Sequence, residues 1–259
     1  MVLTGAGVST DSGIPDYRDE AGSWKRREPM KFQQFSRSLP ARQRYWARSL
    51  VGFSLIDSAQ PNPAHRALAS MEERLGLELL VTQNVDGLHQ KAGSRAVLDL
   101  HGRLDLVECL SCRNELPRNE FQQRLASLNP SFGYEKFRTA PDGDADLVGV
   151  DYDQFLVPPC HRCGGVLKPG VVFFGESVPR ARVERAMQAL EVCDALLVVG
   201  SSLMVFSGYR FVRAAIERHI PVYIVNRGKT RADAHASLKI EAPVSEVLPQ
   251  IAQALPSSR

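Results

Sequence analysis

No uninterrupted apolar run in these 259 residues approaches the ~18 needed to cross a membrane as a helix, so a membrane-spanning protein is excluded and no membrane partner is expected. The opening Met1-Val2-Leu3-Thr4-Gly5 has neither a charged segment leading into an apolar one nor an Arg-rich presequence. A cytoplasmic location is therefore expected, with the mitochondrial matrix as the alternative should the N-terminus be incomplete. Charge of one sign is scarce as well. The net charge is +3, Lys and Arg are scattered, and the densest cluster, Lys25-Arg26-Arg27, is short enough to be a solvated loop, so nucleic-acid binding is not expected. With 44% hydrophobic and 24% charged residues the chain is ordinary globular material, long enough for one large domain or a large domain with a small satellite. A monomer is expected.

Cysteine is sparse too, which makes its placement informative. Four of the five form two pairs, Cys109-x-x-Cys112 and Cys160-x-x-Cys163. Each spacing lets both thiolates of one short turn face a single ion, and two such turns supply the four sulfurs of a closed tetrahedral zinc site. Residues 113–159 separate the pairs, so a sizeable insertion must loop out between the knuckles. Gly164-Gly165 offer the left-handed backbone freedom a knuckle needs. Two disulfides or four unrelated core cysteines are the competing readings, and His161 inside the second knuckle could compete as a ligand. With all four positions filled by sulfur, zinc here is structural and the chemistry lies elsewhere. Cys193, in an apolar run, reads as a small core residue.

Three apolar runs end in polar or Gly-rich turns: 77–81 before Thr82-Gln83-Asn84, 195–199 before Gly200-Ser201-Ser202, and 221–225 before Asn226-Arg227-Gly228. Near-continuous Val/Ile/Leu runs suit strands buried on both faces of a parallel sheet. An amphipathic stretch from Tyr209 to His219 between the last two completes a βαβ unit, and ligands of open α/β sheets lie at the carboxyl ends of the strands, where these turns fall. The segment from about Glu108 to Lys168 is polar and Pro-rich, with the acidic tract Asp142-Gly143-Asp144-Ala145-Asp146. It reads as an inserted small domain with too few apolar residues for a core of its own. A second insertion, about 19–62, is rich in Arg and aromatics and helical from Ala41 to Leu55.

Gly5-Ala6-Gly7-Val8-Ser9 follows the remnant of a first strand. Such a turn permits backbone amides to approach a pyrophosphate, although Gly-rich turns after strands are common. Ser12-Gly13-Ile14-Pro15-Asp16-Tyr17-Arg18 adds a cation that could meet phosphate. Thr82-Gln83-Asn84-Val85-Asp86 places two amides and a carboxylate directly after a buried strand, able to bond a carboxamide or ribose, or simply to form an Asx turn. His101 closes the run Val97-Leu98-Asp99-Leu100 and is placed for general-base work, though a lone histidine is more often structural. The other histidines show no comparable neighbourhood in the sequence.

These motifs, together with the Lys168–Glu176 run KPGVVFFGE, Gly200-Ser201-Ser202-Leu203 and Val225-Asn226, occur in this order in sirtuins, and the chain resembles that family over nearly its whole length. Pro15-Asp16-Tyr17-Arg18, Gln43-Arg44-Tyr45-Trp46-Ala47-Arg48 and Gln60-Pro61-Asn62-Pro63-Ala64-His65 resemble its class II, sirtuin-four-like branch. The resemblance implies an α/β fold: a Rossmann-like parallel sheet formed by 1–107 and 169–259, a small inserted zinc-binding domain at 108–168, and the helical insertion at about 19–62. It implies an NAD-dependent protein-lysine deacylase of deacetylase type, with NAD as co-substrate and one structural zinc held by Cys109, Cys112, Cys160 and Cys163. The acyl group of an acylated-lysine protein would pass to ADP-ribose as nicotinamide leaves, yielding O-acyl-ADP-ribose.

Carried over by position, His101 is the base, with Asn84 and Asp86 at the reacting centre. The Gly5–Ser9 turn, with Gly5, Ala6, Gly7 and Ser9, and Arg18 hold the pyrophosphate, and Asp16 and Tyr17 are further cofactor-binding residues. Gln83, Asn84 and Asp86 line the nicotinamide and ribose. Gly200, Ser201 and Asn226 hold the adenosine half, with Val244 near the adenine, and Ser202, Arg227 and Gly228 are further cofactor-binding residues. Val172, Phe173, Phe174 and Gly175 offer an edge for the substrate backbone. Tyr45 and Arg48, three residues apart on one helix, resemble the pair with which desuccinylating members hold an acidic acyl group, or else they pack the insertion helix. On that basis a longer or carboxylate-bearing acyl group is expected to be preferred over acetyl. Sirtuin domains ordinarily carry a helix and a complete first strand before the Gly5 turn, whereas Met1 lies four residues ahead of it. The same residues would serve protein ADP-ribosyl transfer, and a more distant alternative is a zinc-knuckle protein that binds nucleic acid or a partner.

Overall fold

The computed structural model describes residues 1–21, 23, 25, 29–132, 137–139, 145–147 and 150–256. Arg26, Arg27, Asp142, Gly143 and Asp144 lie outside the described residues. The chain divides into two compact units: Met1–Arg27 with Ala59–His101 and Val178–Arg259, and Glu28–Ser58 with Gly102–Ser177.

The first unit is built on a six-stranded parallel sheet, ordered in space Leu238–Ile240, Val222–Val225, Leu196–Val199, Val2–Thr4, Leu80–Thr82, Val97–Asp99. Short as it is, Val2–Thr4 lies at the sheet's centre, with Val2 opposite both Leu80 and Leu197. All three of its residues are buried, because helices cover both faces. On one face Leu3, Val81, Val198 and Ile224 pack against Leu190 and Phe211, from helices Arg180–Glu191 and Phe206–Glu217. On the other, Val2, Leu80, Val199 and Val225 meet Leu68 and Leu248, from helices Pro63–Leu75 and Val244–Ala254. Alternate residues of each strand thus feed two separate cores, and the three strands read from apolar runs are all present. Helix Pro63–Leu75 starts where Asn62 accepts from Ala64 and His65 N–H groups ahead of Pro63, and stops at Gly76 in the left-handed region, φ 60°. Chain connections diverge on either side of Val2–Thr4 and Leu196–Val199, which makes their carboxyl ends the switch point where ligands of such sheets bind. No described helix is long and apolar enough to cross a membrane.

The second unit holds a three-stranded antiparallel sheet, Glu115–Pro117, Gly102–Cys109, Leu167–Val171, a two-stranded ribbon, Phe137–Thr139 with Ala145–Leu147, and helices Phe32–Arg37, Leu39–Ser58 and Arg118–Leu128. Here one expectation changes. The cysteine segment taken alone does lack a core, but the insertion helices bring one to it. Trp46, with no exposed surface, stands 4.6 Å from Phe121 and 5.3 Å from Tyr45 between ring centroids, and its indole N–H donates to Leu167 O at 3.3 Å. Phe35 joins this aromatic cluster against Tyr45 and Phe173. Buried Arg118 stacks 4.4 Å from the Phe53 ring and donates to the Ser49 carbonyl and hydroxyl, both at 3.2 Å. Residues 28–58 therefore group with the cysteine-bearing segment, and the compact unit reaches from Gly102 to Ser177, beyond the 108–168 read from composition.

Candidate active site

Five strands of the first unit end in the turns that carry the residues singled out from sequence: Gly5–Ser9, Gln83–Asp86, His101, Gly200–Ser202 and Asn226–Gly228. The glycines of two turns interlock. Gly5 N–H donates to Val199 O at 3.1 Å and Gly7 N–H to Gly200 O at 2.8 Å. A Cβ on Gly7 would lie 2.9 Å from Gly200 O, and one on Gly200, where φ is 57°, would lie 2.5 Å from Val8 N. These glycines are required by loop-to-loop contact, in addition to any approach of a ligand.

Ser9 is the hub of a buried network. Its hydroxyl donates to Asp86 Oδ2 at 2.7 Å and accepts from Asn84 Nδ2 at 3.0 Å. His65 Nε2 stands 3.5 Å from the same oxygen, and because Asn62 N–H donates to His65 Nδ1, the His65 proton belongs on Nε2. Asn62 Nδ2 also donates to Val8 O at 2.7 Å, tying this turn to the start of helix Pro63–Leu75. His89 Nε2 bonds the Thr4 hydroxyl at 3.0 Å, and the His65 and His89 rings lie 4.9 Å apart. Burial, helped by the Arg66 charge, pushes His65 down to about 4, and burial with His65 nearby holds His89 well below its usual value. Burial also raises Asp86, against the opposing pull of the Leu88 N–H and the Ser9 hydroxyl. Sequence reasoning missed this second layer: His65 and His89 carry a neighbourhood after all, formed by partners 56 and 85 residues away.

His101 is held at both nitrogens. Nδ1 lies 2.9 Å from Gln83 O, which can only accept, so Nδ1 bears the proton; Nε2 therefore presents a lone pair, to which the Ser207 hydroxyl donates at 2.7 Å. Burial is the main cause lowering its pKa, with Arg182 and Arg210 adding to it and the Gln83 carbonyl opposing. The Gln83 side-chain amide donates to Ser201 Oγ at 2.8 Å and Thr4 O at 3.2 Å, linking strand ends across the switch point.

The other nominated residues divide. Asn226 is buried and its Nδ2 is engaged by Arg227 O and Gly228 O. Asp16 pairs with Lys25, and Arg227 with Glu20, at the rim. Tyr17 O accepts from Lys25 N–H, and Ser202 O from Arg231 N–H. Val244 packs with Val8 and Leu248 in the core formed by Val2, Leu80, Val199 and Val225. Ala6, within the Gly5–Ser9 turn, and Arg18 are half-buried. Hydroxyls, amides and one carboxylate at a switch point, with Arg18 close in sequence, form a donor set that fits the riboses, carboxamide and phosphates of a dinucleotide.

In the second unit, Cys109, Cys112, Cys160 and Cys163 place their sulfurs within 4.8 Å of one another, with Cys109–Cys163 at 3.5 Å and Cys112–Cys160 at 3.7 Å. Tetrahedral Zn–S bonds of ~2.3 Å require sulfurs ~3.8 Å apart, so the set fits zinc and forms no disulfide among the described residues. The two knuckles share one backbone trace. Arg113 N–H donates to Cys109 O as Gly164 N–H does to Cys160 O, and both residues are left-handed, at φ 59° and 73°. Of the glycine pair only Gly164 uses that freedom; a Cβ on Gly165 would lie 2.9 Å from Cys109 Sγ.

Val172 to Gly175 follow strand Leu167–Val171. Buried Lys168 donates to Val171 O at 2.6 Å and Glu176 at 3.3 Å, while Glu176 accepts from Phe173 N–H at 2.9 Å, a clasp that fixes the segment's course. Phe174 O accepts from Phe32 N–H, so Lys31 and Phe32 occupy one side of this edge. Tyr45 is buried, its ring 5.3 Å from Phe173, and Arg48 donates from Nε to Ala145 O at 2.7 Å. Both residues take part in packing within the unit.

Residues 5–207 match the profile of the Sir2 family. An NAD-dependent protein deacetylase of Xanthomonas axonopodis pv. citri is 59% identical over 248 residues, covering 96% of this chain and 85% of that protein. The NAD-dependent protein lipoamidase sirtuin-4, mitochondrial, of Bos taurus is 50% identical over 254 residues, covering 97% and 81%. A solved structure described as Sir2 with a p53 peptide and NAD+ superposes with a TM-score of 0.78 at 29% identity, covering 97% of this chain and 91% of the other.

Proposed function

Given that this chain belongs to the Sir2 family, we propose that it is an NAD-dependent protein-lysine deacylase, passing the acyl group of a modified lysine to ADP-ribose. The observation that carries the reading is the state of His101: a neutral ring, its proton fixed on Nδ1 by the Gln83 carbonyl and its Nε2 lone pair held by the Ser207 hydroxyl. When bound, NAD supplies an electrophilic ribose carbon, from which nicotinamide departs as the acyl oxygen attacks. Every other part belongs to the protein. His101 takes a hydroxyl proton at Nε2, and Asn84 and Asp86, oriented by the Ser9 hydroxyl, line the reacting end. The Gly5–Ser9 turn and Arg18 face the phosphates. In the second unit Cys109, Cys112, Cys160 and Cys163 would hold one structural zinc, and segment 172–175 would receive the substrate main chain.

Incubation with NAD and an acylated peptide tests the reading. Nicotinamide and O-acyl-ADP-ribose are expected in equal amounts, detected by mass spectrometry. Labelled ADP-ribose on protein without an O-acyl product, or no consumption of NAD, overturns it.

A further inference from the structure

Ser207 entered none of the sequence arguments, yet its hydroxyl makes the shortest contact to His101, 2.7 Å from Nε2. The two residues are 106 positions apart, so only the fold brings them together. Ser207 sits in the first turn of helix Phe206–Glu217. The next residue, Gly208, is buried against Gln83 so closely that a Cβ there would lie 2.5 Å from Gln83 Oε1. Gln83 is also the residue whose carbonyl accepts from His101 Nδ1. The donor at one ring nitrogen and the acceptor at the other are thus locked to each other through the Gly208–Gln83 contact, and the imidazole is clamped between them.

Resting on the deacylase reading, we propose that Ser207 is a positioning residue for His101: its hydroxyl donates to Nε2, fixes the ring plane, and holds the lone pair unprotonated until a substrate hydroxyl displaces it. The chemistry is balanced. In the resting state the Ser207 O–H bond is intact and the Nε2 lone pair accepts from it. When the substrate hydroxyl arrives, it displaces Ser207 from Nε2, and its own O–H breaks as Nε2–H forms, the bonding pair staying on the substrate oxygen. A donor bond to the neutral ring disfavours the charged form. The other groups that face the ring act as follows: Arg182, from helix Arg180–Glu191, and Arg210, from helix Phe206–Glu217, also disfavour the cation, while the Gln83 carbonyl favours it. Removing the hydroxyl should therefore make His101 easier to protonate, and leave its ring free to rotate about the single Gln83 bond.

The test compares wild type, Ser207→Ala and Ser207→Thr. First, His101 is titrated by nitrogen-15 NMR in the unliganded protein. Ser207→Ala should raise the midpoint by about half a pH unit, the size of one net hydrogen bond, and Thr should restore it. Second, the acid limb of kcat/KM for deacylation should move upward by the same amount, with kcat about tenfold lower and KM for NAD unchanged. An unmoved NMR midpoint in Ser207→Ala overturns the proposal, whether or not activity falls, because a loss of rate without a titration shift marks a merely structural role. Should wild type consume no NAD, the functional reading fails, while the titration still decides the role of Ser207.

Discussion

Truncating Trp46 tests whether the insertion helices supply the core beneath the cysteine knuckles. Its indole is fully buried, packs on Phe121, Tyr45 and Phe35, lies 5.4 Å from the Arg118 guanidinium, and donates to Leu167 O. Trp46→Ala removes that volume, at about 3–5 kcal/mol for a large-to-small core change. It also strands the Leu167 carbonyl, at about 1–3 kcal/mol if no water reaches it. The terms overlap, so a loss of about 5 kcal/mol is expected, which at a urea slope of about 2 kcal/mol/M lowers the midpoint by more than 2 M. Leu167 is the antiparallel partner of Cys109, so slackening there should reach the metal ligands. Zinc should become extractable by a chelator at concentrations that leave wild type loaded. Trp46→Phe keeps a ring and loses the N–H, and should cost only about 1–2 kcal/mol. The measurements are urea unfolding followed by circular dichroism, and zinc release to a chromogenic chelator. If Trp46→Ala unfolds within 0.5 M urea of wild type and holds its zinc as tightly, the insertion is not the core of this unit.

His101→Ala should lower deacylation by ~10²–10⁴ while NAD binding, measured by calorimetry, persists; near-normal turnover would remove His101 from the base role. Metal analysis of purified protein should give about one zinc per chain, and Cys160→Ser should release it and lower the melting temperature. Full loading and unchanged melting in that variant would break the four-sulfur assignment. His65 has a folded pKa of about 4 against 6.5 unfolded, so its contribution to stability is complete above pH 6.5 and is lost as pH falls towards 4, by about 3 kcal/mol in all. Urea midpoints for wild type and His65→Gln across that window should differ in slope, and equal slopes would count against a buried neutral His65. For acyl choice, Arg48→Ala should lower the ratio of glutaryl-type to acetyl turnover; an unchanged ratio, with acetyl the better substrate, would restrict Arg48 to its bond with Ala145 O.

What could be read from sequence followed burial and spacing. Runs 195–199 and 221–225 are strands because helices cover both sides of the sheet, which leaves no polar alternation to confuse them. The CxxC pairs declared themselves because two-residue spacing is a local property of a knuckle. Strand Leu238–Ile240 gave no signal: it is short, sits at the sheet edge and has no fully buried residue, so nothing selects an apolar run. The aromatic core of the second unit was hidden for another reason. Phe35, Tyr45 and Trp46 belong to one segment and Phe121 to another, and neither shows a cluster until the chain folds. Ser207, His65 and His89 are invisible in the same way. Each acts through one long-range hydrogen bond, and no local pattern encodes a partner 56 to 106 residues distant.

The interlocked glycines also limit how this protein can change. Gly7 and Gly200 each fill the space a side chain would need on the other loop, and Gly5 is pressed in the same way against Ser201, with its Cβ position 2.8 Å from the serine Cβ. A new side chain on either loop must push the opposite backbone away from the central strand. At Gly7 and Gly200 a second, compensating change in the same loop cannot relieve that pressure, because the nearest obstructing atoms are main chain of the neighbouring turn. Mutational routes that reshape the dinucleotide end must therefore move two chain segments nearly 200 residues apart together, whereas Val172–Gly175 and the Tyr45–Arg48 helix, in the other unit, are not bound by this lock. If those segments receive the acylated peptide as proposed, new acyl or peptide preferences are more accessible by stepwise substitution than a new nucleotide.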